Sequence, residues 1–169
     1  MRALLQYSAE ERAVKSGAIC DALIALSAWK EARLVGLFAP QSTEPDVELL
    51  WAAGEAKSFC YPRVGESDAL DFFCVPHRHE LRPGRWKIRE PAFVREEIVP
   101  LGEIDLLLVP GVAFTRGGER LGRGGGYYDR LLASSELRAT TIGVCFLAQL
   151  LPALPVEAHD ARVSQVIAA

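Results

Sequence analysis

The apolar residues of this chain recur at helical spacing in some segments and form short continuous runs in others. Between residues 9 and 28 they return every three or four positions, which predicts a helix with one buried face. Ser8 and Glu11 stand at its start as a capping box, in which a hydroxyl and a carboxylate satisfy free backbone donors. We also expect a second helix over residues 47–54 and a short third helix over Tyr127–Leu132.

Short apolar runs predict the strands of a sheet. They cover residues 34–38, 58–61, 70–75, 104–109, 140–146 and 163–167. The run over residues 104–109 is nearly all apolar, as expected for a strand covered on both faces. Residues 76–100 are rich in Pro, Arg and Glu and are expected to form long irregular connections. Because strands and helices alternate, the sequence predicts one α/β domain over residues 1–169, a three-layer sandwich with a largely parallel central sheet.

Composition narrows the possible partners. A chain of 169 residues can bury one stable core. Its net charge of −3 argues against a nucleic-acid partner, because phosphate backbones require a basic surface. The N-terminus becomes charged at Glu10 before a long apolar stretch develops, and no apolar run is long enough to span a bilayer. We therefore expect a cytoplasmic protein without a membrane partner.

The four cysteines lack the close paired spacing of a zinc knuckle or a thiol redox motif. Three of them fall in predicted strands, where a buried and reduced thiol is expected. Cys74, His77 and His79 are of zinc-ligand type, but they lack a fourth ligand and stand among arginines, so we expect no zinc site there.

The strongest chemical signal is the segment from Val109 to Arg130, which reads as a buried strand, a turn, a glycine-dense loop and a short helix. Glycines before a helix let backbone N–H groups approach an anion. Arg120 and Arg123 add forked donors that suit phosphate oxygens. Asp129 is suited either to hold Mg²⁺ against those oxygens or to act as an acid favoured at a helix start.

This loop does not match the standard nucleotide-binding motifs. A Walker A pattern from Gly117 would require Lys and Ser or Thr where the chain has Arg123 and Gly124. A dinucleotide fingerprint from Gly122 fails because Tyr127 occupies its last glycine position. The residues alone therefore predict an anion-binding loop, with a flexible turn as the alternative.

The segment from Val109 to Asp129 closely resembles the signature of the 5-formyltetrahydrofolate cyclo-ligase family. The shared pattern is Pro-Gly, an aromatic residue, Arg-Leu-Gly, a further glycine pair and Gly-Tyr-Tyr-Asp. Further matches fall outside it, at Glu44-Pro45-Asp46, Pro62-Arg63, Trp86 to Pro91, Gln149 and His159-Asp160. The resemblance covers nearly the whole chain from Ser8 onward.

This resemblance implies a fold like that of the phosphosugar isomerases and CoA transferases. It implies the ATP-dependent conversion of 5-formyltetrahydrofolate to 5,10-methenyltetrahydrofolate, with release of ADP and phosphate and with Mg²⁺ as cofactor. In this reaction the formyl oxygen attacks the γ-phosphate, N10 of the folate closes the ring, and phosphate leaves. Such chemistry requires positioning and neutralisation of charge more than covalent work by the protein.

The resemblance also implies roles for individual residues on the phosphate side. Arg120 and Arg123 would be catalytic, because they would neutralise charge on the transferred phosphoryl group. Asp129 would ligate Mg²⁺. The implied ATP-binding residues are Arg120, Gly122, Arg123, Gly124, Gly125, Gly126, Tyr127, Tyr128 and Asp129. Replacing Arg120 by Ala is expected to reduce turnover with little effect on stability.

On the folate side, the resemblance implies Glu44, Trp86, Phe114 and Tyr127. A Glu44 carboxylate can accept two parallel hydrogen bonds from a pterin ring, and the aromatic rings can pack on its flat faces. Judged without the resemblance, Glu44 is a solvated acid and the aromatics are core or rim residues. Tyr128 either hydrogen-bonds a substrate or anchors the helix.

Several positions depart from the family pattern. Relatives usually begin with a helix that carries a Lys and, four residues later, an Arg, and both positions would precede Met1 here. A chain that starts late or a weaker affinity for ATP is therefore expected. Thr115 stands where Asp is common, Gly125 where some relatives have Lys, and Ser164 where a second acid is usual.

Two alternative functions stay open from the sequence. One is a folate- or nucleotide-binding paralogue that has lost catalysis, and the other is an α/β enzyme acting on a sugar phosphate or an acyl-CoA. In each case the expected partners are small molecules, and the expected state is a monomer or a weak homo-oligomer.

Overall fold

A seven-stranded sheet forms the centre of the protein. The computed structural model describes residues 7–65, 68–94, 97–155, 157 and 160–169. The helices are α1 Ala9–Ala25, α2 Ser27–Glu31 and α3 Tyr127–Leu132. The strands are β1 Leu34–Gly36, β2 Ser58–Val64, β3 Leu70–Cys74, β4 Arg82–Pro83, β5 Arg89–Glu90, β6 Ile98–Val99, β7 Leu106–Val109, β8 Ala113–Phe114, β9 Arg120–Leu121, β10 Thr140–Cys145 and β11 Gln165–Ala168.

The strand order of the sheet is β11-β10-β7-β1-β2-β3-β6. The first five of these strands run parallel, and β3 and β6 are antiparallel to their neighbours. The predicted α/β class with a largely parallel sheet is therefore confirmed. From β1 the chain moves to β2 on one side, whereas β7, β10 and β11 lie on the other side. The strand order thus reverses between β1 and β7, and open parallel sheets bind ligands beyond the carboxyl ends of their strands at such a switch point.

Alternating residues of the central strands supply two cores, one on each face of the sheet. Leu106 and Leu108 of β7 face the first core, and Leu107 and Val109 face the second. Helices α1 and α2 cover the first face with side chains that include Ile19 and Trp29. The second face is covered by α3 and by the β8–β9 hairpin, so its outer layer is much thinner than the first.

The first predicted helix is divided in two. Its capping box is confirmed, because the Glu11 N–H donates to Ser8 Oγ at 3.1 Å and the Ser8 N–H donates to Glu11 Oε2 at 2.7 Å. The helix ends at Ala25, since Leu26 is extended with φ −70° and ψ 145°. The apolar spacing continues across this break because Trp29 is also buried, with its ring 6.3 Å from that of Phe59. Periodicity alone therefore gave no sign of the break.

Two further expectations need correction. The predicted helix over residues 47–54 is a 3₁₀ helix, Val47–Ala53. The segment expected to be irregular, residues 76–100, contains the small β4–β5 ribbon and the edge strand β6. These strands are too short for their apolar pattern to stand out from the surrounding Pro, Arg and Glu residues.

All four cysteines are free, as expected for reduced thiols. Burial raises the pKa of Cys20 and of Cys145 to about 12, so both remain protonated at neutral pH. Cys74 is exposed, in contrast to the predicted burial, because it lies at the end of β3. Within the part of the chain that the structure describes, no helix is both long and apolar enough to cross a membrane.

The packing of Phe114 on β10 allows a test of the second core. A Cβ added at Gly143 would lie 2.5 Å from Phe114 Cε1, and this ring is fully buried and cannot move aside. Gly143→Ala is expected to lower the free energy of unfolding by about 1–3 kcal/mol, the usual cost of overpacking, as measured by urea denaturation. Gly17→Ala is the matched control, because a Cβ there meets nothing within 4 Å and the site is inside α1. That change should stabilise by roughly 0.5–1 kcal/mol. If the two substitutions change the free energy of unfolding equally, Phe114 does not pack tightly against Gly143.

Candidate active site

Two loops that are distant in sequence meet at the switch point of the sheet. One follows β1 and carries Thr43 and Glu44, and the other follows β9 and carries Arg123. The Arg123 Nη2 atom lies 3.4 Å from Glu44 Oε1 and 3.4 Å from Thr43 Oγ1. Glu44 is largely buried, and its Oε2 accepts a hydrogen bond from the Gln41 N–H at 2.9 Å. The structure therefore joins the predicted folate-side acid to a predicted phosphate-side cation.

Arg120 is a buried residue in β9, with only 8% of its surface exposed. Its Nη2 donates to Asp129 Oδ1 at 2.6 Å, and its guanidinium lies 5.6 Å from the centre of the Tyr128 ring. Among the buried side-chain nitrogens and oxygens of the described residues, Arg120 Nε alone has no hydrogen-bond partner. A buried guanidinium with a free N–H is the arrangement expected where an anion or a water completes the site.

The burial of Arg120 contradicts the expectation that it could be removed without loss of stability. Its removal would leave the Asp129 carboxylate, which is itself mostly buried, without its partner. Breaking a buried ion pair in this way usually costs several kcal/mol, about 3–5 when both groups are fully buried. Because Asp129 retains 21% exposure, the loss of this ion pair should lower the free energy of unfolding by less than the loss of a fully buried pair would.

Tyr128 places a neutral hydroxyl close to these charges. Burial raises the pKa of Tyr128 well above its usual range, the Glu44 carboxylate raises it further, and Arg120 partly opposes both effects. The phenol is therefore protonated at every physiological pH and can donate a hydrogen bond.

The glycine loop takes backbone conformations that side chains disfavour. Gly124 and Gly126 have φ values of +88° and +66°, in the left-handed region where glycine has no Cβ penalty. A Cβ at Gly122 would lie 2.8 Å from Arg120 Nη1, so this glycine leaves room for the guanidinium. The helix that follows, α3, has six residues, and Gly126 occupies its N-cap without a side-chain cap. The buried strand, the glycine loop and the helix follow in the predicted order, but Arg120, which was expected in the loop, lies in strand β9 of a hairpin that the sequence did not predict.

An aromatic pair forms a second wall beside the loop. The rings of Trp86 and Tyr127 meet edge to face with centres 5.7 Å apart, and 59% of Trp86 is exposed. The guanidinium of Arg85 lies over the Trp86 ring at 4.8 Å, and that of Arg130 lies over the Tyr127 ring at 5.0 Å. Two of the three predicted folate-side aromatics are thus brought together with a surface left open.

The ribbon that carries Trp86 is held by two ion pairs. Arg89 Nη2 lies 2.8 Å from Glu48 Oε1, and Arg63 Nη1 lies 2.8 Å from Glu90 Oε1. Trp86 has a φ of 55° at the tip of this ribbon, a conformation that is uncommon for a bulky residue. Strain of this kind persists where surrounding contacts determine the backbone, and it is frequent at functional sites.

Phe114 does not line this cleft. Its side chain is fully buried in the second core, between Gly111 and Gly143, and it offers no surface to a ligand. Its position therefore gives no support for the folate contact that was expected of it. The ring supports the base of the glycine loop.

Gln149 is a residue whose role the sequence pattern did not reveal. Its buried side-chain amide donates to the carbonyls of Gly111 at 3.0 Å and Val112 at 3.1 Å, and it accepts from the Phe146 N–H at 2.9 Å. Gln149 thus fixes the start of the segment that leads to the glycine loop against the turn after β10. In the sequence, the importance of Gln149 was indicated by its match to the family pattern.

The remaining candidate residues lie apart from this cleft or outside the described chain. Within the described residues, no three or more His, Cys, Asp or Glu side chains are arranged to hold a metal. Ser164 Oγ lies 3.1 Å from Thr141 Oγ1, and Thr115 donates a hydrogen bond to the Glu119 carboxylate. His159 is outside the described residues.

Fold and site together define a class of protein, an α/β enzyme whose sheet carries an arginine-lined cleft at its switch point. The model of the 5-formyltetrahydrofolate cyclo-ligase family matches residues 1–169 of the chain. The chain belongs to this family of ATP-dependent ligases, and the predicted resemblance is confirmed.

Individual relatives agree with this assignment. A 5-formyltetrahydrofolate cyclo-ligase of Mus musculus is 31% identical over 176 residues, which cover 97% of this chain and 87% of the relative. The Escherichia coli K12 protein of the same name is 35% identical over 126 residues, covering 74% of this chain and 69% of that protein. The NMR structure of Aquifex aeolicus 5,10-methenyltetrahydrofolate synthetase has a TM-score of 0.85 at 32% identity, covering 99% of this chain and 84% of the other. None of these similarities supports the non-catalytic or sugar-phosphate alternatives.

The Gln149 contacts predict a loss of both stability and ATP binding when they are removed. Gln149→Leu leaves two carbonyls and one N–H without partners, and each buried unpaired group costs about 1–3 kcal/mol. We expect the free energy of unfolding to fall by about 2–4 kcal/mol in urea denaturation, and the KM for ATP to rise several-fold. The control is Gln165→Leu, the same change at an exposed position of β11. If both variants behave alike, Gln149 does not anchor the loop.

Proposed function

We propose that the cleft between the loop after β1 and the glycine loop is where this enzyme converts 5-formyltetrahydrofolate to 5,10-methenyltetrahydrofolate. The observation that carries this proposal is the contact between Arg123 and Glu44. Phosphate transfer to the formyl oxygen requires the nucleotide and the folate to lie side by side. The Arg123 cation on one loop can bind the nucleotide, and the Glu44 carboxylate on the other loop can bind the folate. Because these side chains are in contact, the two substrates would bind next to each other.

On the phosphate side, Arg120 and Arg123 act as the catalytic cations. The unpaired Arg120 Nε supplies a fixed donor in a dry environment, where a hydrogen bond to an anion is strong. Arg123 is more mobile, because 53% of its side chain is exposed and its contacts with Thr43 and Glu44 are long. It therefore exchanges these partners for phosphate oxygens at little cost. Backbone N–H groups over Gly122 to Gly126 and the Tyr128 hydroxyl complete the ATP site.

On the folate side, the Glu44 carboxylate accepts hydrogen bonds from the pterin ring. It is held in place by the Gln41 N–H, so its orientation costs little entropy when the substrate binds. Trp86 and Tyr127 offer a flat apolar surface for the rings of the folate. Phe114 does not contact the folate. Its ring packs in the core beneath this surface.

The chemical step needs few groups from the protein. The formyl oxygen attacks the γ-phosphorus, the bond between that phosphorus and the β-phosphate oxygen breaks, and ADP leaves. N10 then attacks the formyl carbon and loses its proton, and the bond between that carbon and the phosphorylated oxygen breaks as phosphate leaves. Arg120 and Arg123 hold the phosphoryl oxygens in line with the attacking oxygen and neutralise the charge that develops.

Asp129 is the residue suited to hold Mg²⁺ with ATP. Its side chain keeps 21% exposure, and Oδ1 is bound to Arg120. One carboxylate is sufficient here, because Mg²⁺ in nucleotide sites is commonly held by one or two carboxylates together with phosphates and waters. When bound, Mg²⁺ would neutralise part of the charge on the phosphate oxygens.

We also propose that the enzyme acts in the cytoplasm on small-molecule substrates, as a monomer or a weak homo-oligomer. Free cysteines and a net charge of −3 support a reducing compartment and the absence of a nucleic-acid partner.

The direct test is the absorbance of the methenyl-folate product. Purified protein with Mg²⁺ and 5-formyltetrahydrofolate should produce this band with ATP and not without it. If the absorbance of this band is the same with and without ATP, the proposed function is wrong.

Arg123 allows the phosphate side to be tested without loss of folding. Arg123→Ala should lower kcat/KM for ATP by roughly 10–100-fold, since a charge-assisted hydrogen bond contributes about 1.5–3 kcal/mol. Thermal unfolding should be nearly unchanged, because the side chain is half exposed. Arg116→Ala, at an exposed arginine in the turn of the neighbouring β8–β9 hairpin, is the control and should leave both quantities unchanged. A defect shared by the two variants would indicate a general loss of basic charge.

Glu44 tests the folate side. Glu44→Gln should raise the KM for 5-formyltetrahydrofolate by roughly 10-fold or more with a smaller change for ATP, because an amide cannot accept both pterin donors. Thr43→Val is the control, since it also removes a contact with Arg123 but no pterin acceptor. A larger effect on ATP than on folate in Glu44→Gln would show that the two sides of the cleft are assigned the wrong way round.

A further inference from the structure

Cys60 and Cys74 are direct neighbours across the β2–β3 pair, although they are far apart in sequence. Residues directly opposite each other in antiparallel strands project to the same face of the sheet. Cys60 belongs to the second core together with Phe72, which lies on the same face of β3 as Cys74. The two thiols therefore lie on the same face and side by side.

The backbone hydrogen bonds around Cys60 and Cys74 show whether these two residues are a hydrogen-bonded or a non-hydrogen-bonded pair. The Val75 N–H donates to the Phe59 carbonyl at 3.1 Å, and the Leu37 N–H donates to the Cys60 carbonyl at 2.8 Å. The peptide groups of Cys60 thus turn toward β1, and Cys60 and Cys74 form a non-hydrogen-bonded pair. At such positions the Cα atoms approach to about 4.5 Å. This separation is within the range of disulfides, about 4.4–6.8 Å.

The two thiols differ in access to solvent. Cys74 is exposed, whereas Cys60 is fully buried, with its Sγ 3.8 Å from the Val35 carbonyl. Burial raises the pKa of both thiols, so both are mainly protonated at neutral pH and their reaction with a peroxide is slow. An exposed cysteine that reacts first and a neighbouring cysteine that resolves it is the usual arrangement of redox-sensitive pairs.

We propose that Cys60 and Cys74 are a reversible redox pair that closes to a cross-strand disulfide when a peroxide is present. The Cys74 thiolate attacks one peroxide oxygen, the O–O bond breaks, and a sulfenic acid and hydroxide form. The Cys60 sulfur then attacks the Cys74 sulfur, the S–O bond breaks, and the leaving hydroxyl takes up the Cys60 proton as water. In total, two thiols and one hydrogen peroxide give one disulfide and two waters, and an added dithiol reverses the change.

The disulfide would restrain a hairpin that reaches the cleft. Between the two cysteines, the chain passes through Asp68. The Arg130 Nη2 donates to the Asp68 carbonyl at 2.8 Å, and the Tyr127 hydroxyl lies 3.5 Å from Asp68 Oδ1. A covalent link across β2 and β3 opposes their separation, so local opening of this hairpin becomes rarer. The inference does not depend on the proposed assignment of the active-site residues.

The test uses the full chain treated with hydrogen peroxide, followed by alkylation, digestion and mass spectrometry. We expect a peptide linked through Cys60 and Cys74 that disappears after dithiothreitol. Backbone amides of β3 should exchange with deuterium about tenfold more slowly in the oxidised protein, since the linked strands open less often.

Two variants make the outcome decisive. Cys74→Ser changes an exposed position and should abolish both the linked peptide and the slower exchange. Cys145→Ser should leave both unchanged, because Cys145 lies opposite Ala168 and has no cysteine partner in the sheet. Oxidation of Cys74 to a sulfinic acid while Cys60 stays free, or a disulfide that involves Cys20 or Cys145, would overturn the proposal.

Discussion

The buried ion pair between Arg120 and Asp129 is the interaction on which the site depends. Arg120 ends the β8–β9 hairpin and Asp129 lies in the first turn of α3, so their 2.6 Å contact closes the glycine loop between them. Glycine has more conformational freedom to lose than other residues, and a loop with several glycines is held only when its ends are fixed. The ion pair supplies this restraint, and the free Arg120 Nε leaves part of the guanidinium for a ligand.

The sheet determines where this closed loop stands. Because strand order reverses between β1 and β7, the loops after these strands diverge to opposite sides and leave a crevice between them. Gln149 fixes the beginning of the β7 loop, and Glu44 and Arg123 meet across the crevice. The Trp86 ribbon, tied down through Arg89 and Glu48, closes the cleft on one side.

This arrangement suits phosphoryl transfer to a neutral carbonyl oxygen. Such a reaction needs little covalent chemistry from the protein, but it needs cations that are fixed before the substrates arrive. Arg120 is buried and the Arg123 side chain is half exposed, so in the proposed site one cation would be preorganised and the other could adjust to the substrate. The neutral Tyr128 hydroxyl adds a donor without further charge.

Features that depend on local chemistry could be predicted from the order of the residues alone. Hydrophobic periodicity placed α1 and short apolar runs placed the principal strands, because burial of a face is recorded in neighbouring residues. The short helix α3 was expected from the glycine loop that precedes it. The glycines and arginines of the loop predict anion binding through backbone N–H groups and guanidinium donors, and this stays a prediction. The family was recognisable from a contiguous motif.

Features that depend on pairing between separate segments became visible when the chain was folded. Arg120 and Phe114 are buried because the β8–β9 hairpin packs on β10, and a local pattern cannot report what a distant strand will cover. The contact of Arg123 with Glu44 and the alignment of Cys60 with Cys74 follow from strand order and register. Register depends on the summed pairing of whole strands, so it is invisible in the spacing of any one of them.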